Sequence, residues 1–145
     1  MKIKTIKPEY VSQLPDVLTE GILYICEEFN LAAHKCCCGC GEEVITPLNE
    51  AQWCVIKQGT TVSLWPSIGN WKYACRSHYW ITENRIIKGS SMTDTQIEEV
   101  IKRDLRDKDK YIQLGNKKGT KVLTKSWFES IIQRIRSIMQ TIWRW

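Results

Sequence analysis

Four cysteines fall within five consecutive positions, Cys36, Cys37, Cys38 and Cys40, and a second pair of soft ligands, Cys75 and His78, stands downstream with two residues between them. Thiolate and imidazole are the donors that hold zinc in a tetrahedral site, and Gly39 and Gly41 let the backbone turn tightly enough for neighbouring sulfurs to converge. The two knuckles, separated by thirty-odd residues, have the layout of a zinc ribbon. Four ligands are needed and more are offered. An extended chain would put Cys36, Cys38 and Cys40 on one side, whereas a tight C-x-x-C-G turn would use Cys37 and Cys40. Cys26, in the apolar run Ile22-Leu23-Tyr24-Ile25, and Cys54, beside Trp53 and Val55, read as core thiols. His34 flanks the cluster as a ligand or as a hydrogen-bond partner of a coordinating sulfur. No H-E-x-x-H helix is present, and Glu42 and Glu43 are the only carboxylates adjacent to the cluster.

The elements that must position these residues are short. Runs at 22–26, 53–57, 61–65, 72–74 and 85–88 have strand character, and hairpin turns are expected at Gln58-Gly59 and at Thr82-Glu83-Asn84, after the run 79–81. Thr93 with Gln96 forms a capping box ahead of Ile97, Val100, Ile101 and Leu105, predicting a helix over about 94–107. The polar stretch 107–119 reads as a linker around a short strand at 111–114. Ser126 with Glu129 opens a second helix to Trp145, whose apolar stripe, tryptophans and arginines suit self-association or docking on a partner. The fold class expected is α+β: a small β-rich zinc-ribbon-like domain over 1–90 and a helical basic extension over 91–145.

Composition narrows the function classes. At 145 residues, 43% hydrophobic and 26% charged, the chain has the make-up of a folded globular protein. No apolar run is long enough to span a bilayer, and no hydrophobic leader core follows Met1, so a cytoplasmic setting is expected. In a reducing compartment seven cysteines point to metal or buried thiols rather than disulfides. Residues 1–100 carry 9 Lys/Arg against 12 Asp/Glu, net −3, and residues 101–145 carry 12 against 4, net +8, which leaves a nucleic-acid partner open for the basic end.

The segments His34-x-Cys36-x-Cys38-Gly39-Cys40-Gly41, Thr46-Pro47-Leu48, Ser63 to Trp71 (S-L-W-P-S-I-G-N-W) and Cys75-x-Ser77-His78-Tyr79-x-Ile81 together resemble a bacterial domain family of unknown function, over about 21–88. In that family's pattern the position of Cys37 need not be cysteine, so the resemblance implies Cys36, Cys38, Cys40, Cys75 and His78 as the zinc ligand set. It also implies a place beside bacterial ubiquitin-like modifiers and their conjugation enzymes. The function expected is therefore a noncatalytic zinc-binding adaptor or recognition module in a ubiquitin-like conjugation or antiphage defence system, binding a protein partner through the loop that carries Ser67, Asn70 and Trp71. The alternatives are a zinc or cysteine hydrolase acting on modifier conjugates and a nucleic-acid-binding zinc protein.

Overall fold

The computed structural model describes residues 1–115. The C-terminal helix expected over 126–145 lies outside the described residues. Within them are two four-stranded sheets and one helix. The first sheet comprises β1 (Lys7–Tyr10), β2 (Ile22–Cys26), β3 (Leu31–Lys35) and β4 (Glu43–Pro47), side by side in that order; β1 runs parallel to β2 and the other pairs are antiparallel. The second is an antiparallel meander of β5 (Cys54–Gln58), β6 (Thr61–Gly69), β7 (His78–Thr82) and β8 (Arg85–Lys88).

One core joins the sheets. Leu23, Ile25, Ala32 and Val44 from the first pack with Val62, Leu64, Ile68, Tyr79, Ile81 and Ile86 from the second, all buried. These inward residues alternate with outward ones, as a pleated strand with one wet face requires. On β7, Tyr79 and Ile81 point in while His78, Trp80 and Thr82 point out. The hairpins form where the sequence placed them: Gly59 and the pair Glu83-Asn84 have positive φ, the conformation that tight hairpin turns impose.

Three local expectations are corrected. β6 runs through to Gly69, so Pro66 to Gly69 is strand rather than exposed loop. Residues 72–74 belong to the turn between β6 and β7 and not to a strand. Helix α1 (94–115) starts on the predicted capping box, with the Gln96 amide nitrogen donating to Thr93 Oγ1 at 3.3 Å and the Thr93 nitrogen to Gln96 Oε1 at 2.9 Å. It then continues through the stretch read as linker and strand, because residues 106–115 need no buried face. They are exposed helix formers with an i,i+3 ion pair, Lys110 to Asp107 at 3.9 Å. The α+β class stands, as a two-sheet β domain with one described C-terminal helix.

Candidate active site and cysteine cluster

The β3–β4 connection turns on Gly39 and Gly41, at φ of 91° and 88°, values that side chains with a Cβ rarely adopt. The Gly39 nitrogen donates to the Cys36 carbonyl at 3.0 Å and the Cys36 nitrogen to the Glu42 carbonyl at 2.8 Å, closing a compact loop. The loop directs Cys36, Cys38 and Cys40 toward Cys75, in the β6–β7 connection, and the four sulfurs all lie within 4.8 Å of one another. Cys36 Sγ is 3.4 Å from Cys38 Sγ and 4.0 Å from Cys75 Sγ. A tetrahedron with metal–sulfur arms of 2.3 Å has edges of about 3.8 Å, so these residues fit a four-thiolate centre.

The remaining candidates go elsewhere. Cys37 is buried in the core, outside the cluster, and Cys26 is buried and directed at the Ser12 carbonyl. Cys54 is exposed on β5 rather than a core thiol, because the inward position there belongs to its neighbour Val55. His34, fully buried, faces the Tyr79 hydroxyl at 2.9 Å, and burial pulls its pKa down to about 4, so the ring is neutral.

The cluster's thiols differ in acidity. Burial pushes Cys38 up to about 12, helped by hydrogen bonding with Cys36 and Cys40. Burial alone would also raise Cys75, but hydrogen bonds from the Ser77 hydroxyl and backbone and from the Cys40 and Cys38 thiols outweigh it and bring Cys75 down to about 7.

His78 does not join the four sulfurs. It leaves the sheet on the outward face of β7, and its Nε2 is 3.1 Å from Ser67 Oγ while its Nδ1 is 3.3 Å from the Ser90 carbonyl oxygen. A carbonyl can only accept, so Nδ1 carries the proton and the Nε2 lone pair is left to accept from the serine hydroxyl. Ser67 reaches this position through a local irregularity. Between the pairs Leu64–Ile81 and Ile68–Tyr79, β6 spends three residues, Trp65, Pro66 and Ser67, against Trp80 alone. Such bulges re-aim side chains. Gly69 then pairs directly with His78 across the ladder.

The surroundings fix the imidazole. The indoles of Trp71 and Trp80 lie 5.2 Å and 4.9 Å from it, centroid to centroid, within the range at which an indole stabilises a cation. A Cβ on Gly89 would stand 2.7 Å from His78 Cγ, so only glycine leaves room for the ring there. A cavity of about 320 Å³, lined by Ile45, Trp53, Ile68, Gly69, Trp71 and Lys72 among others, shares Trp71 with the surroundings of His78, and neither Ser67 nor His78 lines it. Of the residues expected as a contact surface, Ser67 is half-buried against His78, Trp71 forms a wall shared by His78 and this cavity, and Asn70 is buried beneath them.

A serine oxygen on the proton-accepting nitrogen of an oriented histidine is the core of a serine hydrolase site. A family model described as bacterial ubiquitination-like system serine protease (BubE) matches residues 10–88, more than half of the chain. The chain belongs to this family. That membership sets it among bacterial ubiquitination-like systems, the context the motif resemblance implied. No curated relative and no solved structure matches it. Sequence reasoning did not pair Ser67 with His78, because they are eleven positions apart with no motif between them that announces a nucleophile. The usable signal was a serine and a histidine in two neighbouring motifs, Ser63 to Trp71 and Cys75 to Ile81.

Proposed function

We propose that this chain is a serine hydrolase that cleaves peptide or isopeptide bonds in conjugates of a ubiquitin-like modifier, with Ser67 as nucleophile and His78 as general base. The 3.1 Å contact between His78 Nε2 and Ser67 Oγ, in the tautomer set by the Ser90 carbonyl, carries this reading. As Ser67 Oγ attacks the substrate carbonyl carbon, its proton passes to Nε2. The same nitrogen returns it to the departing amine, and the acyl group remains on Ser67. Water then gives a proton to Nε2 and attacks the acyl carbon, and the serine recovers its proton as the acid departs. A backbone carbonyl orients the imidazole without supplying the negative charge of a carboxylate, and the faces of Trp71 and Trp80 supplement it once the ring is protonated.

Cys36, Cys38, Cys40 and Cys75 are the residues that would hold zinc. A zinc bound by four thiolates has no position left for water, so its contribution is to fold stability. The noncatalytic adaptor reading draws on that closed site and on the motif resemblance and assigns no role to the Ser67–His78 pair; for that reason the hydrolase takes precedence. The test is reaction with a fluorophosphonate, which labels activated serines. Labelling of Ser67 in the intact protein, absent in Ser67→Ala and slowed at least about a hundredfold in His78→Ala, supports the reading. Equal labelling of the wild-type chain and His78→Ala removes it.

A further inference from the structure

Two buried polar side chains, Asn70 and Ser77, stand between the cysteine cluster and the Ser67–His78 pair. Asn70 Nδ2 is 3.0 Å from Ser77 Oγ and 3.3 Å from Cys36 Sγ, with Tyr79 OH farther off at 3.5 Å. Ser77 Oγ is 3.1 Å from the same sulfur and 3.6 Å from Cys75 Sγ. An amide nitrogen has two protons, and its two shortest contacts take them to Ser77 and Cys36. With one lone pair occupied by Asn70, the Ser77 hydroxyl has one proton for the two sulfurs beside it, and Cys36 is the nearer. A buried sulfur flanked by an amide N–H and a hydroxyl has the outer hydrogen-bond partners that orient a metal-ligating sulfur.

The same two residues close the ladder that carries the reacting pair. The Asn70 nitrogen donates to the Ser77 carbonyl at 2.9 Å, the rung that follows Gly69–His78. Asn70 is three residues after Ser67 and Ser77 immediately precedes His78. Whatever fixes the Cys36 sulfur therefore fixes the ends of the strands that set the Oγ–Nε2 distance.

We propose that Asn70 and Ser77 are positioning residues that couple the occupancy of the four-cysteine site to the alignment of Ser67 and His78, so that a serine hydrolase is governed by a metal its reacting atoms never contact. The proposal rests on the serine hydrolase reading. It assigns the cysteine site a role beyond stability, since loss of the metal releases the two donors and the strand ends they hold.

The experiment uses the full chain loaded with cobalt(II), whose thiolate charge-transfer absorption reports directly on the ligating sulfurs, together with the rate of fluorophosphonate labelling at Ser67. Ser77→Ala removes one donor from Cys36; the band moves to longer wavelength because an unbonded sulfur gives up electron density more readily, and labelling slows about tenfold or more. Ser77→Thr, which keeps the hydroxyl, restores both, and Val62→Ala, a core change of comparable cost to stability, moves neither. A band shift in Ser77→Ala with labelling at the wild-type rate overturns the coupling, as does slow labelling with an unshifted band. Should Ser77→Ala fail to fold, the wild-type chain decides: a chelator that strips the metal slows labelling and zinc restores it, whereas stripped protein that reacts at the original rate overturns the proposal. If loaded wild-type protein does not label at all, the serine reading itself has failed and the coupling falls with it.

Discussion

Replacing Gly89 by alanine adds one methyl group at the position where the His78 imidazole, the proposed general base, lies. The new Cβ would stand 2.7 Å from His78 Cγ and 2.9 Å from Cε1, and closer still to Nδ1. Carbon atoms rest at about 3.5–4.0 Å, so the ring must retreat by roughly 1 Å. A retreat of that size breaks hydrogen bonds of 3.1 Å to Ser67 and 3.3 Å to the Ser90 carbonyl. Misplacement of a reacting group by about 1 Å costs on the order of a hundredfold in rate, or about 2.7 kcal/mol of barrier. Stability should change little: the φ of Gly89 is not in the left-handed region, alanine keeps the nitrogen that donates to the His78 carbonyl at 2.8 Å, and what yields is a side chain rather than backbone. The assay compares fluorophosphonate labelling rates and thermal melting of wild type, Gly89→Ala and Gly59→Ala. Gly59 has φ of 59° and nothing within 4 Å of its would-be Cβ, so its substitution should cost about 1 kcal/mol of stability and leave labelling unchanged. Labelling of Gly89→Ala within threefold of wild type would refute the assignment of His78 as the base.

His34, depressed from 6.5 to about 4 by burial, makes folding sensitive to acid: the unfolded chain takes up a proton that the folded one refuses. Its contribution is intact above pH 6.5, is lost progressively as pH falls to about 4, and amounts to on the order of 3 kcal/mol; urea unfolding at pH 7.5 and 4.5 should show a smaller loss in His34→Gln. Cys37→Ala should keep one equivalent of metal by mass spectrometry and cost ~1–2 kcal/mol in the core, whereas Cys38→Ser should lose the metal. Burial holds Cys38 near 12 and Cys40 above its usual value, so metal binding must expel at least two protons, and zinc affinity measured by chelator competition should rise about a hundredfold per pH unit between 6 and 8. A flat dependence would show that these thiols are not ligands.

Much of the scaffold could be read from the chain because its signals are local. The strand-type runs of β5 to β8, the hairpin turns at Gly59 and at Glu83-Asn84, and the Thr93–Gln96 box each depend on residues a few positions apart, and each formed close to where the sequence placed it. The loop turns tightly at Gly39 and Gly41, yet Cys36, Cys38 and Cys40 are the thiols that converge, the set read for an extended chain, so local geometry did not decide between the two sets. Helix α1 outran its predicted end because charged residues suit an exposed helix as well as a linker.

The chemistry was decided by tertiary structure. Cys75 and His78 share a spacing that suits two ligands of one ion, but spacing fixes nearness along the chain and not direction. Cys75 falls in a turn facing the cluster, while His78 is the first residue of β7, on the outward face of the pleat. There the ladder pairs it with Gly69, and a bulge confined to Trp65, Pro66 and Ser67 turns a hydroxyl onto its Nε2. Neither register nor bulge can be computed from residue types alone, since both follow from how the inward faces of two sheets fill a common core. The sequence thus determined which residues could bind a metal and where strands would form, and packing determined which histidine would meet which serine.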